Sequence, residues 1–199
     1  MPTRKDSSPS KVGGPKPGPP KMPASYRIKK NASGLLRWSD ACRKIAGSHN
    51  YWVATTRSDG RPHVMPVWGV WTNETFYFGT DRNSRKARNL SANSAIVIHL
   101  ESGDGVVILE GQAKEILERA VFQSIDDAYL SKYRMRLSTI PGDTVIFGLK
   151  PSTVFAWREH DFNRSATRWR LDPVVSPPSR PTTAPQIKKP VKGKRARTR

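Results

Sequence analysis

The stretch Tyr51-Trp52-Val53-Ala54-Thr55-Thr56-Arg57-Ser58-Asp59-Gly60-Arg61-Pro62-His63-Val64-Met65-Pro66-Val67-Trp68 reads as two extended segments joined by a tight turn. Tyr51–Thr56 is aromatic and β-branched, the composition of a pleated, half-buried strand. Asp59-Gly60 supplies the positive φ that a short hairpin turn requires. The chain then returns along His63–Trp71, turns at Thr72-Asn73-Glu74 and enters a third strand, Thr75–Gly79.

Outward from this unit the pattern continues. Ser84–Ala92 has helical character, Ser94–Leu100 and Val106–Ile116 are apolar strands, and Ser102-Gly103-Asp104-Gly105 is the turn between them. Val121, Phe122, Ile125, Ala128 and Tyr129 fall at three-and-four spacing and predict an amphipathic helix over Glu118–Arg136. Two strands follow at Thr144–Leu149 and Val154–Trp157, with a last one at Ala166–Leu171. Upstream, Ser39 is positioned to cap a helix over Asp40–Ala46 that ends at Gly47. Short strands with turn signals at roughly 8–12-residue spacing predict a mainly β domain, a barrel or a sandwich, with flanking helices.

The ends differ in composition from this centre. The 199 residues carry 35 Lys and Arg against 16 Asp and Glu, a formal charge of +19. Residues 1–24 hold Arg4, Lys5, Lys11, Lys16 and Lys21 against Asp6, and residues 173–199 hold eight basic residues and no acid. Both segments are rich in proline and poor in apolar surface, so they are predicted to be disordered tails around one domain at 25–172. The lone Cys42 excludes an internal disulfide framework and is predicted to be a small core residue. No apolar run reaches the ~18–20 residues that cross a bilayer, and no secretory leader is evident, so a soluble cytoplasmic protein is expected. His49, His63, His99 and His160 lie on separate elements, without a carboxylate or cysteine at metal spacing. Asp126-Asp127 is expected to be solvated, since adjacent helical positions diverge.

Chemistry concentrates in Gly79-Thr80-Asp81-Arg82-Asn83-Ser84-Arg85-Lys86-Ala87-Arg88-Asn89-Leu90. With Ser84 as N-cap, Arg85, Lys86 and Arg88 crowd the start of a helix. Cations there oppose the helix dipole at about 0.3–1 kcal/mol each. A phosphate would remove the conflict, taking backbone N–H groups and charge-assisted bonds from Arg85 and Lys86. The alternative is a solvated basic helix face.

The hairpin Val53–Trp68, the turn Ser84-Arg85-Lys86-Ala87-Arg88-Asn89-Leu90 and the later Leu109-Glu110-Gly111-Gln112-Ala113 together resemble the pyridoxamine-phosphate-oxidase-like superfamily over roughly residues 35–170. The resemblance implies a six-stranded split β-barrel that forms a homodimer and binds FMN or the deazaflavin F420 between subunits, with F420 placed first of the two. It assigns Gly79, Thr80, Ser84, Arg85 and Lys86 to the cofactor phosphate and Val67 and Trp68 to the side of the isoalloxazine ring. Val106 and Val107 would contribute from the partner strand. Apart from the resemblance, Arg158, Arg164, Arg168 and Arg170 cluster near Trp157 and Trp169. The cluster reads either as a strand with its arginines facing water and its tryptophans facing in, or as a place where Trp157 and Arg168 close a cofactor or substrate pocket. Trp157–Leu171 is too short for the C-terminal region of the vitamin-making oxidases. The form of the basic turn is closer to the branch that uses F420, FMN or haem. The implied activity is hydride transfer to or from a small unsaturated organic substrate, carried by the cofactor, with no side chain named as catalytic. Two alternatives stand beside it. One is a barrel that binds flavin or haem without turnover; the other is weak, nonspecific nucleic-acid association through Lys188–Arg199.

Overall fold

A computed structural model describes residues 14–29 and 33–171. These residues form strands β1 (Tyr51–Thr56), β2 (Pro62–Val67), β3 (Val70–Thr72), β4 (Thr75–Asp81), β5 (Ala95–Leu100), β6 (Gly105–Glu115), β7 (Thr144–Arg158) and β8 (Thr167–Arg170). Four α-helices flank them: α1 (Trp38–Gly47), α2 (Arg85–Ala92), α3 (Arg119–Tyr133) and α4 (Phe162–Ser165). All strand pairs are antiparallel, in the order β2-β1-β5-β6-β7-β4-β3, with β8 added to β7. The first and last strands of that path are successive pieces of one segment, so the sheet curls back on itself.

The expected count of six strands is therefore corrected to eight. His63–Trp71 does not run through as one strand but bends at Trp68-Gly69. A Cβ on Gly69 would lie 2.1 Å from Phe76 Cζ, so only glycine lets the ring pack there. Conversely, Thr144–Leu149 and Val154–Trp157 are one continuous strand through Pro151. Proline lacks an N–H for the ladder, and Pro151 is accommodated opposite Gly111, where the β6–β7 register shifts. The turns follow sequence logic: Gly60 has φ 84°, and Asn73 and Glu74 have φ 49° and 56°.

Two apolar clusters stabilise the fold. The larger fills the barrel with Tyr51, Val53, Phe76, Phe78, Ile98, Leu109, Leu149 and Trp169, closed by Ile45 of α1 and Leu90 of α2. The smaller lies between α3 and the outside of the sheet, around Val70, Ile125, Tyr129, Leu137 and Ile146. Helix α1 begins at Trp38 with Arg37 as N-cap, not at Asp40 behind Ser39, because Trp38 packs against Trp71 and Trp169. Cys42 is half-buried at the edge of the core rather than within it.

Residues 14–24, expected to be disordered with the rest of 1–24, lie against the barrel. Gly18 donates to the Arg168 carbonyl at 3.0 Å and accepts from its amide at 2.7 Å. The edge of β8 offers unpaired backbone groups, and in Pro17-Gly18-Pro19 glycine alone retains an N–H to pair with them. The expectations for residues 1–13 and 173–199 fall outside the described residues. No helix among the described residues is long and apolar enough to cross a membrane.

Candidate functional site

Strand β4 ends at Gly79-Thr80-Asp81 and turns directly into α2. The turn is built by side chains. The Asp81 carboxylate accepts the Asn83 N–H at 2.7 Å, and the Thr80 hydroxyl donates to Ser84 Oγ at 3.0 Å. Ser84 has extended backbone geometry (φ −65°, ψ 155°), and its Oγ accepts the Ala87 N–H at 3.2 Å. It is the N-cap that the sequence predicts.

No acid occupies the first turn of α2. Of the nearby cations, Arg82 is held by Glu115 at 2.9 Å and Asp143 at 2.8 Å, and Arg88 bonds the Asn83 carbonyl. Arg85 and Lys86 have no hydrogen-bond or ion-pair partner among the described residues. Arg85 is exposed, whereas Lys86 is half-buried, and burial lowers its ammonium pKa. A partly desolvated ammonium at the positive end of a helix dipole is the local conflict that an anion relieves.

What α2 faces is fixed by Asn89. Its buried amide donates to the Thr55 hydroxyl on β1 at 2.9 Å, and Thr55 stands directly across from His63 on β2. Lys86 lies one turn earlier on the same helix face, which carries the start of α2 to the hairpin end. His63 accordingly has a lowered pKa, first from burial and then from Arg57, Lys86 and Arg85.

A second linkage joins the ring-side and phosphate-side residues. The Tyr129 hydroxyl donates to the Trp68 carbonyl at 2.7 Å and accepts the Gly79 N–H at 3.2 Å. Burial raises the pKa of this phenol far above its ordinary value, keeping it neutral and able to donate. Beside it, Lys132 donates to the Tyr51 hydroxyl at 2.7 Å and the Gly69 carbonyl at 2.9 Å, with its pKa pushed down to about 8 by burial. Trp68 is 40% exposed, and its ring stacks on Tyr133 with a centroid separation of 4.9 Å. Val67 is buried.

The chain thus brings Val67, Trp68, Gly79, Thr80, Ser84, Arg85 and Lys86 to one side of the barrel. It does not bring Val106 and Val107 there. Tyr51 pairs with both Val67 and Leu100, and β6 lies beyond β5, so β6 is three strands from β2, about 14 Å. Val106 is paired with Trp157, and the two half-buried side chains share the outer face of the sheet; Val107 points into the core at 1% exposure. Arg168, opposite Phe155, lies on the same outer face as Trp157, whose ring meets Phe162 edge-on at 5.6 Å. A hollow of about 610 Å³ beside α1, lined by Lys44, His49, Asn50, Asp104 and His160 among others, includes none of the residues the sequence nominates.

Sequence reasoning misses Arg57, His63, Asn89, Tyr129 and Lys132. The hairpin register that follows from Asp59-Gly60 places Thr55 and His63 together, and that was the available signal for the first two. Tyr129 and Lys132 act across the fold and leave no local pattern. Asp126 is a further correction. It is buried, at 2% exposure, and accepts from the Ser138 N–H at 3.0 Å, the Ser138 hydroxyl at 2.9 Å and Arg136 at 2.9 Å. Burial pushes its pKa up, but these bonds outweigh burial and hold it low.

The profile of the pyridoxamine 5'-phosphate oxidase family matches residues 39–158. Among solved structures, the chain is 18% identical to a conserved hypothetical protein of Mycobacterium tuberculosis, covering 76% of this chain and 99% of that one with a TM-score of 0.60. It is 19% identical to General Stress Protein 26 of Bacillus anthracis, covering 68% and 100% with a TM-score of 0.54. A protein of unknown function from Agrobacterium tumefaciens is 20% identical, covering 67% and 60% with a TM-score of 0.52. At these identities the likeness establishes the fold. No curated protein sequence matches the chain.

Proposed function

Because the chain belongs to the pyridoxamine 5'-phosphate oxidase family, we propose that it is a flavin- or deazaflavin-dependent oxidoreductase acting on a small unsaturated organic substrate. The observation that carries this reading is the pair Arg85 and Lys86. They stand without a partner among the described residues at the start of a capped helix free of acids, with Lys86 half-buried.

The residues present fit a phosphorylated ring cofactor. Ser84, Arg85, Lys86 and the first N–H groups of α2 would hold its phosphate, with Thr80 orienting Ser84. When bound, such a cofactor supplies hydride transfer at its central ring. The protein's part is positioning. Tyr129 and Lys132 fix the Trp68-Gly69 bend beside the phosphate turn, so the ring side and the phosphate side keep a set separation.

The ring side is completed, in this reading, by a second copy of the chain. Pro66, Trp52, His99, Ile108, Phe155 and Arg168 lie in register across six strands, a row of about 24 Å on the outer face. It is largely apolar, and Val64 beside it is 44% exposed. A face of this kind calls for a partner. Val106 and Trp157 lie two residues along it, where a partner's chain would meet them.

The test is turnover. The purified protein, loaded with reduced FMN or reduced F420 without oxygen, should reoxidise on addition of a quinone or an enone. Tight binding with no reoxidation by any acceptor would leave a binding protein instead of an enzyme.

A further inference from the structure

The anion site described above extends past Arg85 and Lys86. The Arg57 N–H bonds the Arg61 carbonyl at 2.9 Å, which carries the hairpin alternation one residue beyond β1 and puts the Arg57 side chain on the same face as Thr55. His63 shares that face, opposite Thr55, and its ring nitrogen Nδ1 lies 3.5 Å from the Thr55 hydroxyl. The Asn89–Thr55 bond brings Lys86 against the same edge. Four basic groups from three elements therefore converge.

Among the described residues no carboxylate bonds any of them, although Asp59 feels the charge of Arg57. Asp59 is held by Arg61 at 2.9 and 2.7 Å, and the Asp81 carboxylate turns to the Asn83 amide at 2.7 Å. The Arg57 Nε is buried and has no hydrogen-bond partner among the described residues. A buried guanidinium N–H without an acceptor forfeits its hydration with no return, so this second orphan points independently to an anion.

We infer that Arg57 and His63 form a second anion subsite adjoining that of Arg85 and Lys86, and that the bound cofactor carries at least one anionic group beyond a single phosphate monoester. The inference rests on the cofactor reading above and narrows it. A phosphate monoester brings roughly 1.5–2 negative charges, which Arg85 and Lys86 already match. Arg57 adds a third positive charge, and a protonated His63 a fourth. The matching chemistry is a diphosphate, or a phosphodiester followed by carboxylates.

The full chain is titrated at pH 7 and low salt with FMN, which has one phosphate monoester, FAD, which has a diphosphate, and F420, which has a phosphodiester and glutamyl carboxylates. At least one of FAD and F420 should bind ten times more tightly than FMN, and which one does identifies the source of the extra charge. Arg57→Gln should lower that tighter affinity at least tenfold and that for FMN less than threefold, with the far-ultraviolet circular dichroism unchanged. Binding of the polyanion should also strengthen from pH 8 to pH 5.5. The ligand offsets the charges of Arg57 on the hairpin and Arg85 and Lys86 on α2, so His63 takes up a proton; His63→Gln should remove that dependence. Equal loss for all three ligands in Arg57→Gln, no loss at all, or FMN binding as tightly as the others would overturn the second subsite. Failure of the wild-type chain to bind any of the three would sink the cofactor reading itself, a separate result.

Discussion

Asn89 on α2 and Thr55 on β1 are joined by a buried hydrogen bond of 2.9 Å between side chains 34 residues apart. This bond determines which surface the start of α2 confronts. Asn89→Leu removes the donor and leaves the Thr55 hydroxyl to its weaker contacts with His63. A stability loss of about 1–3 kcal/mol is expected, read from urea unfolding, together with weaker cofactor binding. Lost stability with unchanged binding would show that α2 holds its position without Asn89.

Tyr129 ties Gly79 to Trp68 through one hydroxyl. Tyr129→Phe keeps the buried ring but strips a backbone N–H and a carbonyl of their shared partner. The expected cost is about 1–3 kcal/mol, measured as a lowered thermal midpoint. A midpoint equal to that of the wild type would mean that water replaces the hydroxyl.

Lys132 provides a pH test. Its folded pKa is pushed down to about 8 from 10.5, chiefly by burial. Between these values the unfolded chain binds more protons than the folded one, so this group makes stability rise with pH across that window. The increment is absent below about 8 and complete above 10.5. Urea midpoints of the wild type and Lys132→Met at pH 7.5 and 9.5 should show a larger rise for the wild type; parallel changes would contradict the assignment. The neighbouring phenols Tyr51, Tyr129 and Tyr133 have folded pKa values raised above the ordinary 10.0, so they lower stability mainly as pH passes that value, above the pH 9.5 of the comparison, and they are common to both proteins.

Asp126 has the opposite sense. Its folded pKa is held below the ordinary carboxylate value, so its stabilisation is full above about 4 and is lost as pH falls through the folded pKa. Asp126→Ala leaves the Ser138 amide and hydroxyl without their acceptor and Arg136 with Asp127 alone, and should cost about 3 kcal/mol at pH 7. The deficit relative to wild type should shrink as pH falls from 4 toward 2, as followed by circular dichroism.

The sequence was most legible where the governing interactions are local. The Ser84 cap, the crowding of Arg85 and Lys86, and the Asp59-Gly60 turn follow from neighbours a few residues apart, and the structure contains each of them. Gly69 sits in a run with strand composition on both sides, and only the Phe76 ring explains why the chain bends there. Pro151 looks like a terminator until the register shift across from it is seen. Asp126 looks solvated because its partner, Ser138, follows the end of α3 and returns to it through a short turn. Arg57 belongs to a hairpin whose local sequence accounts for it, yet its significance depends on a helix that starts 28 residues later.

The proposed cofactor site depends on Arg85 and Lys86 meeting a phosphate. Titration of FMN and F420 into the wild-type chain and into the Arg85→Ala, Lys86→Ala double variant, followed by ring fluorescence, tests this directly. Each charge-assisted bond is worth roughly 1.5–3 kcal/mol, so the variant should bind at least tenfold more weakly while unfolding at the same temperature. Equal affinity in the two proteins would contradict the site.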